Sequence, residues 1–156
     1  MSKITPFLWF DTQAKEAADF YVSVFPNSKI EEVSYYPEGG PSAGQVMVVS
    51  FELDGQKFSA LNAGPHFKFN EAVSFVIDCK DQAEVDRYWE VLGEDGGEPG
   101  QCGWLKDRFG LSWQVTPRRL IDLISSDDKP QASRVMAAMM QMNKIDIAKL
   151  EDAAKG

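Results

Sequence analysis

Few side chains in this sequence could carry acid–base or nucleophilic chemistry. The chain has one histidine, His66, and two cysteines, Cys79 and Cys102. His66 follows Pro65 in a linker, where it could be an acid, a base or a hydrogen-bond donor in a pocket, or a loop residue satisfied by backbone groups. A cysteine nucleophile needs a base or a cation beside it. Lys106 is the cation near Cys102 in sequence, so Cys102 is either a reactive thiol or a small pocket or core residue. Cys79 is expected to be buried.

A second group of side chains could bind a ligand without using charge. Ligand sites are typically apolar with a few placed polar groups, and the sequence supplies aromatic residues together with amides and a hydroxyl. Core packing explains some of these aromatic residues equally well. The candidate pocket consists of Trp9, Asn62, His66, Phe67, Phe69, Ser74, Cys102, Trp104 and Gln114. Aromatic and amide groups favour a planar or amphipathic small organic molecule as the ligand.

The elements that must position these residues are strands in the first half of the chain. Runs of β-branched and aromatic residues predict four strands, over residues 3–10, 29–36, 45–53 and 56–62. Asp54-Gly55 is a strong signal for a hairpin turn. Apolar residues at helical spacing predict a helix over residues 13–25, with Asp11 or Thr12 as its cap. The predicted order is β-α-β-β-β.

The second half repeats this plan. Three strands are predicted, over residues 71–79, 102–106 and 111–116, with room for a further short strand in the glycine-rich loop 93–100. A helix is expected from Asp81, whose carboxylate and Glu84 form an aspartate version of the capping box. The pattern from Asp107 to Gly110 predicts a turn. Because neither half can close a core alone, the two are expected to pack as one sheet system.

Beyond Pro117 the sequence predicts helices. A short helix is expected over residues 119–125, a longer one after Pro130 and a last one from residue 147, capped by Asp146. One face of the longer helix carries Val135, Met139 and Met142. The tail is expected to pack on the sheet or on a second subunit. We predict one domain, with a first unit at 1–62, a second at 71–117 and a helical tail at 118–156.

Composition excludes several classes of function. The chain has 156 residues, 44% of them hydrophobic and 26% charged, as in a globular protein. Its net charge of -8 and pI of about 4.6 disfavour nucleic acid as a partner. No apolar run approaches the roughly 20 residues of a membrane span, and no signal peptide is visible. The two cysteines form no CxxC motif or disulfide framework, which favours the cytoplasm.

Two stretches resemble a known family, namely residues 64–75 (GPHFKFNEAVSF) and 101–115 (QCGWLKDRFGLSWQV). They are similar to the PhnB-like branch of the glyoxalase/bleomycin-resistance (vicinal oxygen chelate) superfamily, a branch often labelled 3-demethylubiquinone-9 3-methyltransferase domain. Residues 4–14 and 142–150 fit the same pattern. The resemblance implies an α+β fold, in which paired β-α-β-β-β units form a curled mixed sheet and a helical tail follows. It also implies a homodimer.

Enzymes of the superfamily are expected to hold a divalent metal through His and Glu on inward-facing strands. Here the corresponding strands offer Asn62, Ser74 and Gln114, and one histidine cannot rebuild the usual set. We therefore expect no cofactor and a metal-independent small-molecule binding protein. The alternative is an enzyme of the superfamily, with an atypical metal site or with His66 or Cys102 as a metal-free acid or base. Methyl transfer is least favoured, because no glycine-rich turn follows the first predicted strand.

Overall fold

A computed structural model describes residues 2–156, which divide into two compact units, one ending at Lys68 and one beginning at Phe69. The first contains β1 (Phe7–Phe10), α1 (Ala14–Val24), β2 (Lys29–Tyr35), β3 (Val46–Leu53) and β4 (Gln56–Asn62). The second contains β5 (Ser74–Cys79), α2 (Gln82–Gly93), β6 (Glu98–Pro99), β7 (Trp104–Lys106), β8 (Ser112–Pro117), α3 (Arg118–Ile124), α4 (Lys129–Met139) and α5 (Ile147–Lys155). The predicted α+β class and the repeated β-α-β-β-β order are confirmed, including the short extra strand.

The strands of the first unit form a mixed sheet in the order β1-β4-β3-β2. β1 and β4 are parallel, and the other neighbouring strands are antiparallel. Because successive side chains of a strand point to opposite faces, one face collects the buried residues Leu8, Phe10, Val49, Phe51, Phe58 and Ala60. Helix α1 packs against β3 and β4 on this face, and the ring of Tyr21 stacks 6.4 Å from that of Phe51. The Asp54-Gly55 hairpin is confirmed, since Leu53 pairs with Gln56 across it.

The start of α1 differs from the sequence prediction. Neither Asp11 nor Thr12 caps the helix, which begins after Gln13 without a hydrogen bond from the side chain of that residue. The backbone N–H of Ala14 instead donates to Oδ1 of Asn62, at 2.8 Å. The cap therefore comes from the end of β4, because Asn62 shares the helix-facing side of the sheet with Ala60.

The second unit has its own mixed sheet, in the order β5-β8-β7-β6. β5 and β8 are parallel, and the remaining pairs are antiparallel. The face toward α2 carries the buried residues Ile77, Cys79, Leu105, Trp113 and Val115. The strands thus form two four-stranded sheets, where the sequence predicted one sheet system.

Local hydrogen bonds in the second unit follow the predicted signals closely. The cap of α2 is confirmed, because Oδ1 of Asp81 accepts from the N–H of Glu84 at 2.9 Å. The reciprocal bond is shifted by one residue, since Oε1 of Glu84 accepts from the N–H of Lys80. The predicted turn is organised by Asp107, which is 2% exposed. Its carboxylate accepts from the N–H groups of Phe109 and Leu111 and from Nε1 of Trp113.

The C-terminal helices form a core within the second unit. We call this set the tail core, and it consists of Leu120, Leu123, Val135, Met142, Ile145, Leu150 and Ala154, with Ile124, Ala138 and Met139 packed against it. The methionine face predicted for the longer helix is thus used inside the chain. The prediction that Met142 lies on this helix is wrong, since α4 ends at Met139. The predicted cap of α5 is confirmed by the bond from the Lys149 N–H to Asp146.

Residues 142–147 dock on the rest of the second unit through a short set of hydrogen bonds. The side chain of Gln82 donates to the carbonyl of Ile145 at 2.9 Å and accepts from the N–H of Ile147 at 2.8 Å. The N–H groups of Cys102 and Gly103 donate to the carbonyls of residues 142 and 143, both at 2.8 Å. We call this contact the tail clamp. It joins the start of α2 and the turn before β7 to the loop before α5.

The prediction of a strand beginning at Cys102 is wrong. Cys102 and Gly103 have φ values of +59° and +84°, in the left-handed region that a strand does not use. Strand β7 begins only at Trp104. The reason is the tail clamp, which draws the N–H groups of both residues away from the sheet.

Candidate functional site

The second sheet has a polar face on the side opposite α2. The alternation of side chains along three strands places on this face Ser74, Val76, Asp78, Trp104, Lys106, Ser112, Gln114 and Thr116. We call this the polar face. Ser74, Trp104 and Gln114 are half-buried, and Val76 is 60% exposed. The polar face therefore reaches solvent while keeping its central side chains partly shielded.

A neutral hydrogen-bonded pair lies at the centre of the polar face. Nε2 of Gln114 donates to Oγ of Ser74 at 2.9 Å, across the parallel pair β5 and β8. Gln114 is also the cross-strand partner of Trp104 on β7. The pair keeps a free lone pair on the amide oxygen and a free hydroxyl hydrogen on Ser74. The arrangement can accept and donate hydrogen bonds beside an indole ring without a formal charge.

One edge of the polar face carries charges that neutralise each other. Nζ of Lys106 lies 2.7 Å from Oε1 of Glu71. This hydrogen bond and the charge of Lys106 lower the pKa of Glu71, and the same bond raises the pKa of Lys106. Both groups therefore stay ionised near neutral pH. A cavity of about 400 Å³ lies beside them and is also lined by Trp104 and Glu98.

Ser112 is the most buried hydroxyl of the polar face. It pairs with Ser74 on β5 and with Lys106 on β7, and it is only 1% exposed. Its Oγ has no hydrogen-bond partner within residues 2–156. A buried hydroxyl without a partner costs about 1–3 kcal/mol, so Ser112 lowers the stability of the fold next to Ser74.

The first unit brings together an aromatic cluster from the candidate residues. Nε1 of Trp9 donates to the carbonyl of Gly64 at 2.9 Å, which fixes the indole. The ring of Phe67 meets it edge-on at 4.9 Å between centroids, and the ring of His66 lies at 6.4 Å. Phe67 is 66% exposed. Trp9 lies on the face opposite α1, in a row with Leu61, and therefore presents aromatic surface outside the core.

A cleft of the first unit lies at a different place, around the start of α1. It has a volume of about 920 Å³, and its lining includes Thr12, Lys15, Tyr36, Gln45 and Asn62. Sequence reasoning missed the first four of these residues. The glycine and proline residues at positions 37–44 indicate a loop between strands but not a cleft.

Asn62 serves the framework of that cleft. Its side chain caps α1 and donates from Nδ2 to the carbonyl of Val46 at 3.2 Å. The hydroxyl of Tyr36 donates to the backbone carbonyl of Asn62. Lys15 forms an ion pair with Asp19 at 2.7 Å. Asn62 and Tyr36 are thus bonded to backbone groups, and Lys15 is bonded to an acidic residue on its own helix.

The candidate residues fall into two groups, one in each unit. Trp9, Asn62, His66 and Phe67 belong to the first unit, and Phe69, Ser74, Cys102, Trp104 and Gln114 to the second. Within the second unit the structure brings Ser74, Trp104 and Gln114 together. Phe69 is half-buried at the start of this unit, and Cys102 lies in the turn held by the tail clamp.

The side chains of the polar face do not fit a divalent metal. Its centre offers one amide, one hydroxyl and one indole, whereas catalytic metal sites use imidazole and carboxylate ligands. Within residues 2–156, no three His, Cys, Asp or Glu side chains are grouped so that they could hold an ion. In the same part of the chain, no helix is long and apolar enough to cross a membrane.

Known proteins give a clear relationship for most of the chain. The family described as 3-demethylubiquinone-9 3-methyltransferase matches residues 2–116. Among solved structures, the PhnB protein from Bacillus cereus is 35% identical, with a TM-score of 0.68 over 74% of this chain and 99% of that chain. Protein PA1353 from Pseudomonas aeruginosa is 20% identical, with a TM-score of 0.64 over 75% of this chain and 98% of its own. No curated protein matches the sequence.

A more distant structure shares the fold alone. The fosfomycin resistance protein FosX from Mesorhizobium loti is 14% identical, with a TM-score of 0.50 over 72% of this chain and 90% of its own. The family match ends at residue 116, so α3, α4 and α5 lie beyond it. The similarity expected for residues 142–150 is not part of that match.

Proposed function

This chain belongs to the family described as 3-demethylubiquinone-9 3-methyltransferase, whose match spans residues 2–116, and we propose a function from this premise. We propose that the protein binds a small organic molecule without a metal ion. Its fold is that of the glyoxalase/bleomycin-resistance superfamily. The observation that carries the proposal is the hydrogen bond between Ser74 and Gln114 beside Trp104 on the polar face.

The chemistry of the polar face supports a planar or amphipathic ligand. An indole ring offers a flat apolar surface for stacking, and the Ser74–Gln114 pair offers a donor and an acceptor next to it. Small-molecule sites combine such apolar surface with a few fixed polar groups. Because Ser74 and Gln114 hold each other in place, their spare hydrogen-bonding groups are oriented before a ligand arrives.

The same pair supports binding without a metal. Within the superfamily, metal-dependent members are expected to use His and Glu on such strands, and here the strands carry Ser74 and Gln114. A neutral amide that already donates to a hydroxyl is a weak ligand for a divalent cation. The binding that we propose therefore needs no metal ion.

An enzyme of the same superfamily is the alternative. It would need His66 or Cys102 as an acid, a base or a nucleophile. His66 is exposed beside Trp9, and Cys102 is held by its backbone in the tail clamp. Burial raises the pKa of the other thiol, Cys79, to about 12. Within residues 2–156, no hydrogen bond or ion pair joins the side chain of His66 or Cys102 to an acid, a base or a cation, so we favour binding over catalysis.

Methyl transfer stays the least favoured activity, despite the family's description. A Rossmann-type cofactor site uses a parallel sheet and a glycine-rich turn after its first strand. Both sheets here are mixed, and β1 leads into α1 through Asp11, Thr12 and Gln13. The proposal also includes a homodimer, which rests on the family resemblance, and the cytoplasm, which rests on the cysteine usage.

Native mass spectrometry with elemental analysis tests the proposal, on protein purified without chelator. We expect a metal-free dimer that retains an organic mass or gains one from a screen of phenols and aromatic acids. Gln114→Leu should weaken that binding roughly tenfold, since it removes a hydrogen bond from a shielded site. Glu90→Gln, on the exposed side of α2, is the matched control. One tightly bound divalent metal per chain would refute the proposal.

A further inference from the structure

The C-terminal segment forms one wall of a cavity at the end of the polar face. β8 runs directly into α3, and a cavity of about 300 Å³ lies where they meet. Val76 and Ile121 provide its apolar lining, and Thr116, Asp78 and Arg118 complete it. Nη2 of Arg118 donates to Oδ2 of Asp78 at 2.8 Å, so these charges satisfy each other at the rim.

This cavity adjoins the Ser74–Gln114 pair through Val76. Val76 is the register partner of Gln114, and Thr116 follows Gln114 by two residues on the same face. A molecule that contacts Gln114 therefore has Val76 beside it. Ile121 comes next, one helical turn after Arg118.

Packing of the tail does not explain the position of Ile121. Its neighbours Leu120 and Leu123 belong to the tail core, whereas Ile121 stays 47% exposed. Val76 across the cavity is 60% exposed. Large apolar side chains that remain exposed around one cavity indicate a surface that is covered on binding. The occupant must be small, because about 300 Å³ is at the lower limit for ligand pockets.

We infer that α3 adds an apolar subsite to the polar face, which takes a short substituent of phenyl or butyl size on the bound molecule. The inference rests on the proposed function and narrows its ligand to an amphipathic compound. The polar group of this ligand meets Ser74 and Gln114, and its apolar arm lies between Val76 and Ile121. Helix α3, which contacts the apolar arm, lies outside the family match, because that match ends at residue 116. Nearly the whole PhnB chain of Bacillus cereus corresponds to three quarters of this one.

The test compares phenol with 4-butylphenol on the full chain labelled in its methyl groups, in its tryptophan indole N–H groups and in its side-chain amides. Titrations followed by NMR should show phenol shifting the signals of Trp104 and Gln114 only. 4-Butylphenol should also shift the methyl signals of Val76 and Ile121. Each buried methylene tightens binding about fourfold. With two of the butyl carbons buried, 4-butylphenol should bind roughly 15-fold more tightly than phenol.

Two variants separate the subsite from general apolar attraction. Ile121→Ser should abolish the gain from the butyl group and leave phenol binding unchanged. Met136→Ser, at a similarly exposed position of 44% on α4, should keep the gain. Both positions are exposed, so both variants are expected to fold.

The outcomes distinguish the inference from the proposed function. Equal affinity for the two phenols, or a gain that survives Ile121→Ser, overturns the subsite and leaves binding at Trp104 standing. Shifts at Val76 and Ile121 without any at Trp104 and Gln114 support the apolar subsite and overturn the proposed centre of binding. No shift with either phenol up to its solubility limit overturns the subsite.

Discussion

Replacing Gly103 with alanine tests how the tail clamp is held. Gly103 has a φ of +84°, and a Cβ at this residue would lie 3.0 Å from Cγ1 of Ile145 and 3.0 Å from the carbonyl oxygen of Val115. The Ile145 side chain could give way by a small rotation. The carbonyl of Val115 cannot, because it belongs to the central strand β8. Gly103→Ala therefore combines a left-handed backbone with a collision against fixed backbone.

Gly110→Ala is the matched control for the backbone term. Gly110 has a φ of +89°, and no heavy atom lies within 4 Å of the position that a Cβ would occupy there. Both variants suffer the left-handed penalty of about 1–2 kcal/mol, and both gain about 0.4–1 kcal/mol from a stiffer unfolded chain. Only Gly103→Ala adds the cost of overpacking, about 1–3 kcal/mol. The free energies of unfolding of the two variants should therefore differ by about 1–3 kcal/mol.

Urea denaturation followed by circular dichroism measures this difference in the free energy of unfolding. Hydrogen exchange adds a local readout, since amides of residues 142–155 should exchange faster in Gly103→Ala than in Gly110→Ala. Equal losses of stability in the two variants, with unchanged exchange in the tail, would refute the role assigned to these contacts in holding the clamp.

Three further perturbations have defined outcomes. Asn62→Ala should lower the free energy of unfolding by about 1–2 kcal/mol, because α1 loses its cap. Asn62→Asp keeps the acceptor and should lower the free energy of unfolding less, so equal losses in the two variants would contradict the capping role. A thiol reagent at neutral pH should label only Cys102 in the native protein, because burial raises the pKa of Cys79 to about 12. It should label both cysteines in concentrated urea, and labelling of both in the native protein would contradict the burial of Cys79. The hydrogen bond from Lys144 lowers the pKa of Asp86, so this ion pair stabilises the fold above the ordinary carboxyl pKa and stops doing so as the pH falls through the lowered value. Lys144→Met should therefore cost less than about 1 kcal/mol at neutral pH and nothing near pH 2, as thermal unfolding at the two pH values will show.

Sequence patterns predicted the features whose causes are local. The cap at Asp81 and the turn at Asp107 depend on residues within a few positions of each other. Such signals persist in the folded chain because their hydrogen bonds form inside one element or one turn. The order of strands and helices in both units followed from them.

Features with distant causes could not be predicted in this way. Asp11 and Thr12 were suitable caps for α1 by type, but Asn62, 48 residues away from Ala14, supplied the acceptor. Cys102 continued a strand-like pattern, but the loop at residue 142 captured its N–H. The side of a sheet that a helix covers also depends on distant packing, so sequence alone could not place Asn62 toward α1 and Gln114 on the face opposite α2.

The tail clamp makes the second unit depend on chain that is synthesised late. Gln82 bonds to residues 63 and 65 positions further along, at Ile145 and Ile147. A nascent chain that has just left the ribosome at residue 117 has all the strands of this sheet, yet Gln82 and the turn before β7 still lack their partners. Contacts of such sequence separation form slowly, and an unfinished core exposes apolar surface meanwhile. Translation that stops before residue 145 therefore releases a sheet whose tail clamp is open. Chaperones and proteases would act on this form before a ligand could bind.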